Sequence, residues 1–210
     1  MLNEEDKRIL VDIKNTYGKL NTTSLMKLTY LNYQYFAINS IKAEEILTDE
    51  EYAKILQAKP KNGKTTLYTI GYEGISLEEY LNRLIKNDVK LLVDVRNNPL
   101  SMKFGFSKTQ LKNFCVSLDI EYLHIPEVGI QSGQRRELNS QSDYDKLFEI
   151  YKDIHLKKTI SVQEQILKLL KLKKRIALTC FEANICQCHR KHLAEAITNL
   201  PEWNFELNHI

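Results

Sequence analysis

The residues best suited to chemistry lie between positions 180 and 190, which hold two closely spaced thiols, Cys180 and Cys188, followed by His189 and Arg190. An apolar stretch predicts a strand that ends at Cys180, and the residues after Cys188 predict a helix. Backbone N–H groups at a helix start favour the thiolate form of a cysteine and bind anions. The pattern therefore predicts that Cys180 or Cys188 is a nucleophile, next to His189 as an acid or base. Arg190 carries a planar charge that suits a phosphate or a carboxylate.

The same segment supports two other interpretations. Cys180 and Cys188 are also small enough to be plain core residues, at a strand end and a helix start. Alternatively, Cys186, Cys188 and His189 supply three metal ligands within four residues. Cys180 adds a fourth ligand, but structural zinc sites usually use two ligand pairs, whereas one Cys-x-Cys pair occurs here. The sequence therefore predicts no metal cofactor, and it leaves a metal or thiol redox sensor as an alternative.

Ionisable residues also follow the other predicted strands. Glu73 lies in a glycine-flanked turn, where it is either a general base or an acid that complements the dipole of the next helix. Asp94 and Arg96 share one face of a strand, so Arg96 either pairs with Asp94 or binds an anion. His124 is either a core histidine or a site residue. Because ligands of parallel sheets bind outside the carboxyl ends of the strands, we expect these residues to lie near one pocket.

The elements that would position these residues alternate along the chain. Short apolar runs predict strands at 66–71, 91–95, 120–125, 176–180 and 203–207. Helical periodicity predicts helices at 76–87, 107–118, 143–153, 161–172 and 189–199. This alternation is typical of an α/β fold with a mostly parallel sheet of about five strands and helices on both faces. The polar stretch 126–142 is predicted to be a long loop, in which Arg135 and Arg136 are either solvated or close over an acidic substrate.

A change of pattern near residue 60 divides the chain. Residues 1–58 show three helical segments and are predicted to form a small helical module, for which a helix-turn-helix is one candidate. The third of these helices is expected after Thr48, which can form a capping box with Glu51. Residues 59–64 contain proline, glycine and charge without an apolar side chain, as is typical of a linker. Residues 65–210 then form the α/β domain.

Composition excludes several classes of protein. With 43% hydrophobic and 27% charged residues, the chain is expected to be globular rather than disordered or a coiled coil. No apolar run approaches the roughly 20 residues of a membrane span, and no secretory signal is recognised, so we expect a cytoplasmic location without membrane contact. A net charge of +3 does not by itself indicate nucleic-acid binding, although basic residues are frequent at 152–175.

The motifs taken together resemble a prokaryotic family catalogued as the domain of unknown function number 488. The resemblance covers about residues 66–200 and rests on Thr-Ile-Gly-Tyr-Glu-Gly at 69–74, Asp-Val-Arg at 94–96, Tyr-Leu-His at 122–124, Cys-Phe-Glu at 180–182 and Cys-His-Arg at 188–190. It implies that one pocket contains Tyr72, Glu73, Arg96, His124, Cys180, Glu182, Cys188, His189 and Arg190. It implies no reaction. Cys186 is not part of the family pattern, which weakens the metal interpretation, and Ile130 stands where the family commonly has a glycine.

Three functions are compatible with these residues. The favoured one is an enzyme that acts on an anionic substrate, such as a nucleotide or a nucleic-acid end, with a cysteine nucleophile and arginine ligands. The second is a nucleic-acid-binding or regulatory module that uses the N-terminal helices and the basic run 152–175. The third is the metal or redox sensor. The expected partner is thus an anionic small molecule or nucleic acid, and the sequence does not indicate an oligomeric state.

Overall fold

The chain divides into two compact units, Met1–Lys59 and Pro60–Ile210. The computed structural model describes residues 3–60, 63–135, 138 and 140–210, and it describes the backbone but not the side chains of Tyr35, Ser132 and Arg135. Lys61 and Asn62, which belong to the predicted linker 59–64, lie outside the described residues. Within the described ranges, no helix is both long enough and apolar enough to cross a lipid bilayer.

The described part of the N-terminal unit consists of helices joined by short turns. Its five helices are α1 (Glu4–Tyr17), α2 (Thr22–Asn32), α3 (Gln34–Ile38), α4 (Ala43–Ile46) and α5 (Asp49–Ala58). The expectation of three helices is wrong: the backbone leaves helical geometry at Tyr33 (φ −130°, ψ 74°) and divides the second segment there, and the short helix α4 was not predicted. The capping box at the start of α5 is confirmed, since the Thr48 side chain accepts from the Glu51 N–H. A small core consists of Tyr30, Ala37, Ala43, Leu47 and Ile55.

The α/β unit is built on a five-stranded sheet in which all neighbouring strands are parallel. The strands are β1 (Thr66–Gly71), β2 (Leu91–Asp94), β3 (Glu121–His124), β4 (Arg175–Cys180) and β5 (Glu206–His209). Their order across the sheet is β3-β2-β4-β1-β5, which makes β4 the central strand. Strands β1, β2 and β4 are buried along their whole length, as is usual for central strands of a parallel sheet. The predicted α/β fold is confirmed.

Helices cover both faces of this sheet, as the sequence predicts. They are α6 (Leu77–Lys86), α7 (Lys108–Ser117), α8 (Gln141–Ile150), α9 (Ile160–Lys173) and α10 (His189–Thr198). Leu92 of β2 packs in one hydrophobic cluster with residues of α6 and α7. Its neighbour Val93 packs in a second cluster with residues of α9 and α10. Successive side chains of a strand point to opposite faces, so the two clusters lie on opposite sides of the sheet.

The strand order creates a crevice at the carboxyl end of the sheet. The chain enters α6 after β1 and α10 after β4, so the loops after these neighbouring strands lead to opposite faces. Gly71 at the end of β1 pairs with Cys180 at the end of β4, and Asp94 of β2 pairs with Thr179. Ligands of open α/β sheets bind at such a switch point. The fold therefore brings the ends of β1, β2 and β4 to one place.

Two predicted elements of the α/β unit need correction. The helix expected at 143–153 is α8, which ends at Ile150 and continues as a π-helical turn, Tyr151–Leu156. Such turns are rare and their hydrogen-bond pattern cannot be recognised from apolar periodicity. The last strand, expected at 203–207, is β5, which begins only at Glu206. Pairing with β1 starts at Glu206, and the preceding Trp203 and Phe205 pack edge-to-face against each other.

Candidate active site

Cys180, at the end of β4, and His189, at the start of α10, form a thiol–imidazole pair. The Cys180 Sγ atom lies 3.6 Å from Nδ1 of His189. The other ring nitrogen, Nε2, lies 3.1 Å from the carbonyl oxygen of Val95. Both side chains are buried. The central strand and the helix that follows it thus hold a thiol against an imidazole inside the protein.

The Val95 carbonyl fixes the position of the proton on His189. A carbonyl oxygen can only accept, so Nε2 carries the proton of the neutral ring and Nδ1 presents a lone pair to the Cys180 thiol. An imidazole in this tautomer can accept the thiol proton. Transfer of that proton leaves a thiolate beside an imidazolium, which is the form in which cysteine is nucleophilic.

A carboxylate lies on another side of the same thiol. Sγ of Cys180 is 3.2 Å from Oε2 of Glu182. Because a thiol has one proton, Glu182 and His189 compete to accept it. A carboxylate beside a thiolate disfavours the negative charge on sulfur, whereas an imidazolium favours it. His189 is therefore the better suited of the two to activate Cys180.

The second thiol, Cys188, lies close to the first in a different environment. It is the N-cap residue of α10 and is fully buried, and its sulfur lies within 4.8 Å of the Cys180 sulfur and of a ring nitrogen of His189. Burial raises the pKa of the Cys188 thiol, and the neighbouring Cys180 and Glu182 raise it further. Cys188 is accordingly a poor nucleophile at neutral pH. Cys186, which the metal alternative included, is exposed and does not belong to this cluster.

Cys180 and His189 lie at the wall of a cavity of about 290 Å³. The cavity is lined by Tyr72, Arg96, Asn97, Asn98, Leu100, Ser101, Met102, Ile130, Cys180, Phe181 and His189. These residues come mainly from the loops that follow β1, β2 and β4. The volume is near the lower end, roughly 300 Å³, of known small-molecule sites. Of the residues expected in one pocket, four line this cavity: Tyr72, Arg96, Cys180 and His189.

Arg96 brings a positive charge to the cavity, but most of its donors are already engaged. Its Nε and Nη2 atoms donate to the two carboxylate oxygens of Asp94, at 2.8 and 2.5 Å. Its Nη1 atom donates to the Tyr72 hydroxyl and to the Phe106 carbonyl, both at 2.8 Å. The Tyr122 hydroxyl donates to Asp94 Oδ2 at 2.6 Å and also interacts with the Arg96 guanidinium. Arg96 is thus paired with Asp94, and its guanidinium lies at the cavity wall.

Arg190 and Glu73 hold the loop that follows β4. The Arg190 guanidinium donates to the carbonyls of Glu182 and Ala183, at 2.5 and 3.4 Å. Glu73 accepts from the Ala183 N–H at 2.9 Å. Gly71 permits this close packing, because a Cβ atom there would lie 2.0 Å from the Glu182 carbonyl oxygen. Neither Arg190 nor Glu73 is among the residues that line the cavity, and their roles as anion ligand and general base stay predictions.

His124 connects the ends of β2 and β3. Its Nε2 atom donates to the Arg96 carbonyl at 2.9 Å, and its Nδ1 atom accepts from the Lys108 amine at 3.1 Å. Both ring nitrogens are therefore engaged, and His124 is not among the residues that line the cavity. This geometry favours the expected alternative of a histidine with satisfied hydrogen bonds over that of a site residue.

Sequence reasoning missed the groups that hold His189 in place. The Tyr151 ring, in the π-helical turn, lies edge-on to the imidazole with 5.7 Å between centroids, and its hydroxyl donates to the Val128 carbonyl. Gly129 lies so close to Val95 that a Cβ atom would be 2.8 Å from the Val95 oxygen. A backbone carbonyl that accepts a hydrogen bond cannot be recognised from residue types. The glycine at position 129 is the feature of the sequence that indicates close packing against this carbonyl. Also missed were the polar lining residues Asn97, Asn98 and Ser101.

The basic run 152–175 is partly neutralised by acidic neighbours. Among the described residues, three of its lysines form ion pairs: Lys157 with Asp153, Lys171 with Glu202, and Lys173 with Glu121. Arg175 is buried, and it donates to the carbonyls of Asn87 and Lys64. Arg136 and the side chain of Arg135, which are expected either to be solvated or to close over a substrate, lie outside the described residues.

Comparison with known protein families identifies a matching family. The model of the family described as "Domain of unknown function DUF488" matches residues 76–197, which is more than half of the chain. The matched range includes Arg96, Cys180 and His189. No curated protein and no solved structure matches the chain significantly.

Proposed function

Because the chain belongs to the DUF488 family, whose description assigns no reaction, we propose a function from the site itself. We propose that the α/β unit is an enzyme that uses the Cys180 thiol as a nucleophile toward a small anionic molecule. The observation that carries this proposal is the 3.6 Å contact between Cys180 Sγ and the lone-pair nitrogen of His189, at the wall of a cavity. Nucleophilic thiols are activated by an adjacent base that a third group orients, and the Val95 carbonyl is that third group.

The first step moves one proton and forms one bond. His189 Nδ1 accepts the thiol proton, and the sulfur of Cys180 uses the freed electron pair to attack an electrophilic atom of the substrate. The leaving group departs with its bonding electron pair. The imidazolium keeps its Nε2–H bond to Val95, and the N-terminus of α10, where His189 is the first helical residue, favours negative charge on the nearby sulfur. A covalent intermediate at Cys180 results.

The lining of the cavity supports a small anionic substrate. Arg96 places a guanidinium at the cavity wall, where Asp94, Tyr72 and the Phe106 carbonyl hold it. Asn97, Asn98 and Ser101 add amide and hydroxyl groups that can donate to oxygens of a carboxylate or a phosphate. The small volume favours a metabolite, or the terminal group of a larger molecule, over an extended nucleic-acid strand.

Two alkylating reagents of nearly equal size test both parts of the proposal. Reduced protein is treated at neutral pH with either neutral iodoacetamide or anionic iodoacetate, and labelling of each cysteine is followed by peptide mass spectrometry. The exposed Cys186 is the reference within the same molecule. With both reagents, we expect Cys180 to be labelled at least about tenfold faster than Cys186, because a base activates it. The ratio of the two labelling rates should be larger with iodoacetate than with iodoacetamide.

The two parts of the proposal fail separately. If Cys180 is labelled no faster than Cys186 with either reagent, the proposal that Cys180 is an activated nucleophile is wrong. If Cys180 is labelled faster than Cys186 by the same factor with both reagents, the nucleophile is supported but the preference for an anionic substrate is contradicted.

A further inference from the structure

We infer that the α/β unit binds one thiophilic divalent cation, represented by zinc, through Cys180, Cys188 and His189. These side chains offer two sulfurs and one imidazole nitrogen, and their ligand atoms all lie within 4.8 Å of one another. All three side chains are buried. Strand β4 supplies Cys180, while the start of α10 supplies the other two, so the set is held by two regular elements.

The spacing of the donor atoms fits tetrahedral coordination. Zinc binds sulfur at about 2.3 Å and imidazole nitrogen at about 2.0–2.1 Å, so a tetrahedral angle places these two donors about 3.6 Å apart. The distance between Cys180 Sγ and His189 Nδ1 is 3.6 Å. The Cys188 sulfur lies near enough to complete one face of the tetrahedron by a small side-chain adjustment.

His189 is held as a metal-binding histidine usually is. Its Nε2–H donates to the Val95 carbonyl at 3.1 Å, which leaves the lone pair of Nδ1 directed at the cysteine. Hydrogen bonds of this kind fix the tautomer and the ring orientation of metal ligands. The imidazole is therefore prepared to bind a cation without rearrangement.

The charge of the cluster also suits a divalent ion. Each thiol releases its proton to solvent on binding, so exchange of two protons for one divalent cation leaves the net charge of the buried cluster unchanged. Thiolate and imidazole ligands favour zinc over magnesium and calcium, which prefer oxygen. Because Cys180 and His189 line the cavity, a fourth ligand can come from water or from a bound molecule.

This inference does not rest on the proposed function, because the affinity for the cation is measured without a substrate. A bound cation and a nucleophilic reaction would compete for the same two groups, Cys180 and His189. We therefore expect zinc to protect Cys180 from iodoacetamide and to leave the labelling of Cys186 unchanged.

The experiment uses the full chain, reduced and freed of metal. Zinc affinity is measured by competition with a chromogenic chelator for the wild type and for Cys180→Ser, Cys188→Ser and His189→Gln. The matched control is Cys186→Ser, which removes an exposed thiol of the same loop. We expect one equivalent of zinc in the wild type and the control, and an affinity at least about 100-fold lower in the three ligand variants, because loss of an outer-shell partner alone costs about 10–100-fold.

Cobalt(II) gives a second readout that needs no variant. Cobalt(II) bound to the wild type is expected to show the intense visible absorption bands of tetrahedral geometry. It should also show a thiolate-to-cobalt charge-transfer band with the intensity expected for two thiolate ligands. Absence of that charge-transfer band would overturn the inference, and so would zinc binding that Cys186→Ser removes while the ligand variants retain it. If the variants fail to fold, the cobalt spectrum of the wild type decides alone.

Discussion

At the scale of single residues, the surroundings of the four cysteines separate their chemistry. Cys180 lies between an imidazole and a carboxylate at a cavity wall, and Cys188 is buried next to it. Cys186 is exposed, while Cys115 belongs to the hydrophobic layer formed by α6 and α7. Composition does not distinguish these four thiols, whereas within the described part of the chain Cys180 alone has both a proton acceptor and a position at the cavity wall.

Cys115 is expected to resist modification in the folded protein. Burial raises the pKa of Cys115 to about 12, and the charge of Asp94 contributes to the rise, so the thiol stays neutral and unreactive at neutral pH. Iodoacetamide treatment followed by peptide mass spectrometry should label Cys186 and leave Cys115 intact until denaturant is added. Labelling of both at equal rates without denaturant would contradict the packing of α7 against the sheet.

At the scale of elements, the site depends on loops that approach one another closely. The Val95 carbonyl, just after β2, orients His189 at the start of α10. Gly129 follows the 3₁₀ turn Pro126–Val128 and packs against this same stretch, where a Cβ atom would lie 2.4 Å from the Asn97 nitrogen. The backbone around Val95, which Gly129 approaches closely, therefore helps to set the geometry of the thiol–imidazole pair.

Replacing Gly129 by alanine is expected to disturb this arrangement. The new methyl group must displace the backbone around Val95, so Gly129→Ala should destabilise the protein by roughly 1–3 kcal/mol and slow the labelling of Cys180. Gly133→Ala is the matched control, because a Cβ atom there meets nothing within 4 Å. Urea denaturation and iodoacetamide kinetics measure the two effects. Equal behaviour of both variants would show that His189 does not depend on this contact.

At the scale of the whole molecule, the layers of the fold can be predicted from sequence but the meeting points of its loops cannot. Apolar runs and helical periodicity suffice to predict the parallel sheet and its two helical layers, because strand and helix periods are properties of local sequence. Strand order is not local, and the position of β4 between β1 and β2 is what brings Cys180 next to Tyr72 and Arg96.

Two residues that follow strand ends show where this limit lies. Arg190 and Glu73 have the residue types and the strand-end positions of ligand-binding groups, so sequence cannot distinguish them from residues that hold a loop. In the structure, the carbonyls of the loop after β4 accept from Arg190, a contact that residue types do not reveal. The π-helical turn that positions Tyr151 is likewise a tertiary feature without a local pattern.

The stability of the α/β unit is expected to fall in mild acid. Burial lowers the pKa of His192 below its ordinary value of 6.5, although Glu195 opposes this shift. The unfolded chain therefore takes up the proton more readily than the folded protein. The stabilising contribution of the neutral ring is complete above pH 6.5 and is lost as the pH falls below it.

Urea denaturation at several pH values between about 5 and 7.5 checks this expectation, because the pKa of an unperturbed histidine, about 6.5, lies within this range. The free energy of unfolding should decrease less steeply toward acid in His192→Gln than in the wild type. His209, whose pKa is also lowered by burial, keeps part of the dependence in the variant. An equal or steeper decrease in His192→Gln would contradict the burial of a neutral His192.

The central claim, that His189 activates Cys180, is tested most directly by the rate at which iodoacetamide labels Cys180 at neutral pH in three proteins. These are the wild type, His189→Gln and Glu182→Gln. We expect His189→Gln to slow labelling by about tenfold or more, because the proton acceptor is lost. Glu182→Gln should react at least as fast as the wild type, because a negative charge beside the thiolate is removed. If labelling is unchanged in His189→Gln and slow in Glu182→Gln, the claim is contradicted. The Glu182 carboxylate, not His189, would then accept the thiol proton of Cys180.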